Sequence, residues 1–226
     1  MKQAKIPVLI LTILLATSFT MAKSGWNYQG TKKGVAIYTR HVENSALDEV
    51  KVVATLQAPM EVAGMVLADV EGYPTWMADC QQARVLKKVD QVDNISYFVI
   101  PTPWPVQDRD VVIRSNTWAD FKRDIVVSEF EAIESKLKPP VDRYVRIHQM
   151  RGRWVFEKLA PGKTRATFIT WADPAGSVPQ WVVNMKNTDN PYRTMLGMMR
   201  MVKVEKYIKA AQNSEGIREQ LKKSEE

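Results

Sequence analysis

Residues 101–114 read PTPWPVQDRDVVIR. Two carboxylates, Asp108 and Asp110, flank Arg109 where an apolar run begins. Residues two apart on a strand point the same way, so the carboxylates would share a face with the arginine opposite. Such a triplet can act as an acid–base pair or as a polar headgroup contact. It can also be a structural tie, in which Arg109 pairs with a neighbouring carboxylate or caps loop carbonyls through two nitrogens. The tie is the preferred reading; a headgroup contact from Arg109 is the second. Ahead of the triplet, Pro101, Pro103 and Pro105 recur at every second position around Trp104. That spacing misses the three-residue period of a polyproline ligand. Three missing N–H groups also argue against a central strand. The segment reads as a stiff corner between two strands.

The remaining reactive groups are few. His41, His148 and Cys80 are the only histidines and cysteine. There is no HExxH and no cysteine pair, so no metal site and no cofactor are expected. The ten glycines are dispersed, with no GxGxxG, GxxxxGK or GxSxG. Cys80 cannot close an internal disulfide and reads as a small, half-buried residue. His148 reads as a satisfied polar residue on a strand face and as a second candidate for a headgroup contact. The apolar inventory is larger, with seven tryptophans and eleven methionines, five of the latter between Met185 and Met201. Methionine is flexible and polarizable, so such a cluster either fills a core or lines a hydrophobic cavity.

These groups sit in a chain of 226 residues, 45% hydrophobic and 25% charged, enough for one domain with its own core. The start stands apart. Lys2 and Lys5 precede seventeen uncharged residues, Ile6 to Ala22, ending in small side chains. This is the pattern of a secretory signal over 1–22, and it predicts an exported, periplasmic protein. The alternative is a retained membrane anchor, for which the run is short against the roughly 20 apolar residues that span a bilayer. Without Lys2 and Lys5 the formal charge of +7 becomes +5. Basic residues are scattered rather than striped, which disfavours nucleic acid. The modest positive balance suits transient contact with an anionic membrane surface.

Alternation over 34–42 and 49–57 predicts a hairpin turning at Glu43-Asn44-Ser45, and residues 59–70 predict a helix opened by Pro59. A short helical turn is expected around Tyr73 and Trp76. Strands follow at 83–89, 95–100, 110–118, 124–133, 143–159 and 165–173, joined by short turns. Short connections imply an antiparallel meander. Along 143–159, His148, Met150, Trp154 and Phe156 share one parity. The last third is helical, at 177–187 with Ser177 as cap and at about 191–212 with Asn190 as cap and Pro191 first. Met195, Met198, Met199 and Val202 form a stripe on the latter. About 20 residues at 1.5 Å each give a helix of roughly 30 Å, able to cross the sheet. The expected fold is α+β, a curved antiparallel sheet wrapped around a long C-terminal helix.

Four blocks in order carry a family resemblance: GVAIYTRHVENSALDEVKVVATLQAP (34–59), VLADVEGYPTWMADCQQARVLKKVD (66–90), PWPVQDRDVVI (103–113) and WADPAGSVPQWVVN (171–184). Together they resemble the START lipid-binding domain of exported bacterial proteins, within the helix-grip superfamily, over about residues 26–212. The chain thus divides into a signal peptide at 1–22, a domain over 23–212 that the resemblance makes START-like, and a polar tail over 213–226. The resemblance also implies an internal tunnel for a lipid, sterol-like or other hydrophobic small molecule, closed by the last helix. The family mostly binds and carries; some superfamily relatives are cyclases or hydrolases. Relatives often hold a charged pair inside the cavity, and Arg114 lies near one such place with the wrong strand parity.

The expected function is an exported, non-enzymatic carrier. Met150, Trp154, Phe156, Trp171, Met195 and Met199 are expected to line the space, with Trp76 and Trp104 near its rim. The alternative is a cyclase-like enzyme for a polycyclic or aromatic substrate, for which Asp108, Asp110, His148 and Tyr144 are the available groups.

Overall fold

In the computed structural model the described residues are 25–45, 47–120, 122–176 and 188–213. The expected signal segment, the helix expected at 177–187 with its Ser177 cap, and the tail from Ser214 lie outside them. Three strands open the domain: β1 (Asn27–Lys32), β2 (Val35–Arg40) and β3 (Glu49–Leu56). Helix α1 (Met60–Ala68) and a 3-10 turn (Val70–Thr75) follow. Next come β4 (Gln82–Lys88), β5 (Asp93–Ile100), β6 (Arg109–Asp120), β7 (Ile125–Ala132), β8 (Val145–Arg146), β9 (Gln149–Ala160) and β10 (Lys163–Asp173). Two helices close the described chain, α2 (Asp189–Met201) and α3 (Glu205–Gln212).

The strands form one sheet in the order β1-β2-β3-β10-β9-β7-β6-β5-β4, with the two-residue β8 parallel to β6. Every other pairing is antiparallel. The β2–β3 hairpin turns where expected, and Asn44 takes the left-handed conformation that asparagine tolerates (φ 59°). β1 was not legible. NYQGTK is polar, carries a glycine and lies on an exposed edge, so no apolar alternation marks it. Its ladder with β2 is backed by side chains: Tyr28 meets Tyr38 at 5.3 Å, and Trp26 lies under both Arg40 and Lys51.

The run expected as a single strand at 143–159 is two elements. Val145 and Ile147 donate backbone hydrogen bonds to Asp108 and Asp110, which pulls the first part onto β6. His148 falls in the break, outside β9. The single long closing helix is also two. Val204 is extended (ψ 125°), and the chain turns at 202–204 before α3. The turn lets Lys206 and Tyr207 reach Asp69, past the end of α1, each at 2.7 Å. At 1.5 Å per residue the thirteen residues of α2 span about 20 Å rather than 30. Its cap position is Thr188, not Asn190. Asn190 instead donates through Nδ2 to Ala78 O (3.0 Å) and Asp79 Oδ2 (3.2 Å). Pro191 still falls in the first turn, where its missing N–H costs nothing.

The core lies between the helices and one half of the sheet. Met195 and Met198 of α2, both fully buried, pack with Val52, Leu56, Phe156 and Ala166. Gly197 sets how closely α2 seats: a Cβ there would fall 2.1 Å from the carbonyl oxygen of Trp76. Among the described residues, no helix is long and apolar enough to cross a membrane.

Candidate functional site

Where α2 leaves the sheet uncovered, a cavity opens between α1 and the inner faces of β5, β6, β7, β9 and β10. Strand parity decides what faces it. On β6 the residues Val111, Ile113, Ser115 and Thr117 point in, and on β5 Asn94, Ser96, Phe98 and Ile100 do. One wall is aromatic. Trp154 stacks on Phe168 (4.3 Å, 15°) and on Phe156 (5.7 Å, 18°), and Phe130 lies 6.2 Å from Phe168. Phe130 has room because its cross-strand partner is Gly152, where a Cβ would sit 2.4 Å from the ring and 2.3 Å from Ile169 O.

The cavity has a volume of about 230 Å3. This lies just below the roughly 300–1,000 Å3 of drug-sized ligand sites. Ionisable groups on the wall, among the described residues, are Glu61, Asp79, Tyr73 and Cys80. Burial pushes the Cys80 thiol up to about 12, so it is a protonated, weakly nucleophilic group at neutral pH. Burial also raises the Tyr73 hydroxyl, which donates to Leu67 O (2.8 Å).

Of the residues expected to line the space, Met150, Trp154 and Phe156 do so. Trp171 does not: it follows Thr170 on β10 and takes the opposite face, where its indole N–H bonds Ser45 Oγ (3.1 Å) and Arg151 stacks on its ring. Met195 and Met199 belong to the stretch of α2 that covers the other half of the sheet, so they pack in the core and not on the cavity wall. Trp76 is buried behind the wall, edge-on to Trp154, and its Nε1 has no partner among the described residues. Trp104 is 90% exposed, on the corner, well clear of the lining.

The polar candidates are structural or external. Arg109 is buried and donates to the carbonyls of Gln107, Pro174 (3.2 Å) and Ala175 (3.3 Å), the loop-capping tie. His148 is exposed beside Glu134 (Nδ1–Oε1 2.5 Å). Asp108 accepts from Thr102 N–H (2.8 Å). Asp110 faces away from the cavity, in a buried bidentate pair with Arg146 (2.7 and 2.9 Å), and Tyr97 also donates to it (3.0 Å). Burial alone would raise the Asp110 carboxyl. The bonds from Arg146 and Tyr97 outweigh that and hold it below the usual carboxylate range. Tyr144 packs on the same outer side, against Tyr97, Val99 and Val112. None of Asp108, Asp110, His148 and Tyr144 is on the cavity wall. Arg114 is on the outer face too, paired with Asp93 at 2.6 Å.

Sequence reasoning missed the polar part of the wall: Asn94, Ser96, Ser115, Thr117 and Ser128. A small polar residue facing a cavity and one facing water leave the same alternation, so parity alone points them outward. The available signal was the apolar company at the intervening positions Ile95, Tyr97 and Val99 of β5, which implies a strand covered on both faces.

A START domain family model matches residues 14–187. An uncharacterized protein of Pseudomonas aeruginosa is 27% identical over 195 residues, covering 84% of this chain and 95% of that protein. Human START domain-containing protein 10 is 26% identical over 165 residues, 72% of this chain; the match spans 56% of the human protein's length. Among solved structures, a STAR-related lipid transfer protein fragment from Xanthomonas axonopodis superposes with a TM-score of 0.73 at 27% identity. It covers 80% of this chain and 99% of the fragment. Human STARD10 gives the same TM-score at 22% identity, over 86% of this chain and 78% of that one, and supports the fold alone.

Proposed function

This chain belongs to the START domain family, and on that premise we propose that it is an exported, non-catalytic carrier for a hydrophobic small molecule. The ligand class is a lipid or a sterol-like molecule. The observation that carries the proposal is the cavity itself, walled by Trp154, Phe156, Phe168 and Phe130 on one side and by α1 on the other. Removing an apolar body from water drives loading. About 300 Å2 of buried ligand surface supplies about 7 kcal/mol before the entropy of association is subtracted. The cyclase-like alternative lacks an observation of its own, since the four groups that would serve it lie off the cavity.

Export rests on the Lys2–Lys5 start and the uncharged run to Ala22. In a bacterial host, the mature protein should appear in the periplasmic fraction with a mass beginning near Lys23. Recovery of the full-length chain in the membrane fraction would instead support the anchored form.

Membrane contact is the second part of the proposal. Trp104 projects from a proline-flanked corner that Gln107 pins to Asp142 O (2.6 Å), beside exposed Val141 and Arg143. An indole between apolar and polar surroundings suits the headgroup level of a bilayer.

Native purification followed by organic extraction and mass spectrometry tests the carrier reading. A stoichiometric hydrophobic molecule is expected from the wild type. It should be lost from Ser128→Trp, in which a large ring occupies the cavity. Absence of any extractable ligand, together with no uptake of a neutral fluorescent apolar probe, would overturn it.

A further inference from the structure

Five polar residues of the cavity wall, on β5, β6 and β7, form one continuous patch. Asn94 on β5 lies directly across from Ser115 on β6, and Thr117 directly across from Ser128 on β7. Ser96 is the next inward position on β5. Two hydrogen bonds are internal to the patch, Ser96 Oγ to Asn94 Oδ1 (2.6 Å) and Thr117 Oγ1 with Ser128 Oγ (3.0 Å). With its carbonyl oxygen engaged by Ser96, the Asn94 amide turns its NH2 elsewhere, a double donor. Ser115 Oγ makes no hydrogen bond among the described residues, and the Thr117–Ser128 pair retains one hydroxyl hydrogen to donate. The patch therefore presents unused donors and no charge, bordered by the aromatic rings of Trp154, Phe130 and Phe98.

We infer that the patch selects a hydrophobic ligand bearing an uncharged oxygen function, a hydroxyl, ketone or ester, over one bearing a phosphate or carboxylate. This rests on the carrier reading and adds the chemistry of the ligand's polar end. Neutral donors satisfy a neutral acceptor without the cost of stripping water from a charge. A phosphate at the same place would be desolvated beside Ser and Asn side chains alone.

The test uses three ten-carbon probes, decane, decanol and decyl phosphate, each displacing the neutral dye N-phenylnaphthylamine from the full domain. Wild type should bind decanol at least about 10-fold more tightly than decyl phosphate. The triple variant Ser115→Ala, Thr117→Val, Ser128→Ala should lose roughly 10-fold for decanol, at a few-fold per uncharged hydrogen bond, and nothing for decane. A thermal midpoint close to wild type confirms that the variant is folded. Decyl phosphate binding as tightly as decanol, or an equal loss for decane and decanol, would overturn the inference and leave the carrier reading standing. If the dye and decane both fail to bind wild type, the carrier reading itself falls.

Discussion

Two helical glycines make opposite predictions from the same substitution. Gly64, in the middle of α1, has open space around its Cβ position; Gly197, in α2, has the Trp76 carbonyl oxygen at 2.1 Å and Trp76 Cε3 at 3.2 Å. Neither has a positive φ, so alanine is allowed at both and gains roughly 1 kcal/mol of helix propensity. At Gly64 that gain stands alone. At Gly197 the methyl needs about 3.4 Å from an oxygen now at 2.1 Å, so α2 must retreat by about 1.3 Å from a backbone atom that cannot rotate away. Overpacking of this kind costs about 3 kcal/mol at the upper end of its range. The net for Gly197→Ala is therefore about 2 kcal/mol of destabilisation. For a domain of about 190 residues each kcal/mol moves the midpoint by roughly 2–4 °C. Differential scanning calorimetry should place Gly197→Ala about 4–8 °C below wild type and Gly64→Ala about 2–4 °C above it. A Gly197→Ala midpoint at or above wild type would refute the close seating of α2 on Trp76 and, with it, the way the helix is held beside the cavity.

Asp110→Ala strands the buried Arg146 guanidinium and should cost about 3–5 kcal/mol at neutral pH, read as a urea midpoint; adding Arg146→Met should recover most of it. Because the Asp110 carboxyl is held below its unfolded value of about 3.9, its contribution is present above that pH and fades as pH falls through the lower folded value. The gap between wild type and Asp110→Asn should therefore close below about pH 4 and stay constant between pH 5 and 8. Asp69→Ala removes the acceptor shared by Lys206 and Tyr207; the pair is partly exposed, so global stability should fall by under ~1 kcal/mol while amide exchange in α3 accelerates. Trp104→Ala should leave the unfolding midpoint within about 0.5 kcal/mol of wild type, as expected for an exposed side chain, and should reduce co-flotation with anionic lipid vesicles.

Legibility followed the number of faces on which each element is covered. β2, β3, β6, β7 and β10 carry alternation or β-branched runs, and their positions follow from the sequence to within a few residues. β1 escaped because an exposed edge strand needs no apolar face. The break between α2 and α3 escaped because Val202 continues the apolar stripe through it; the cause is the distant Asp69, which no local pattern reports. Met150, Trp154 and Phe156 are large apolar residues at one parity of β9 and are on the wall. Trp171 follows the inward-facing Thr170 on β10, so it takes the outer face. Whether α2 covers core or cavity depends on where along the sheet it lands, so Met195 and Met199 could not be assigned from their helix alone.

Arg109 joins two places that are far apart in the chain. Its guanidinium holds Gln107 O on the Trp104 corner, and Pro174 O and Ala175 O where the chain leaves β10. Pulling them apart by an ångström would leave a buried charge short of acceptors, at about 1.5–3 kcal/mol for each bond lost. The corner and the β10 exit are therefore tied to each other. Load on the Trp104 corner is shared with Pro174 and Ala175 through one guanidinium. In mechanical terms the proline corner is a lever arm and Arg109 is its pin.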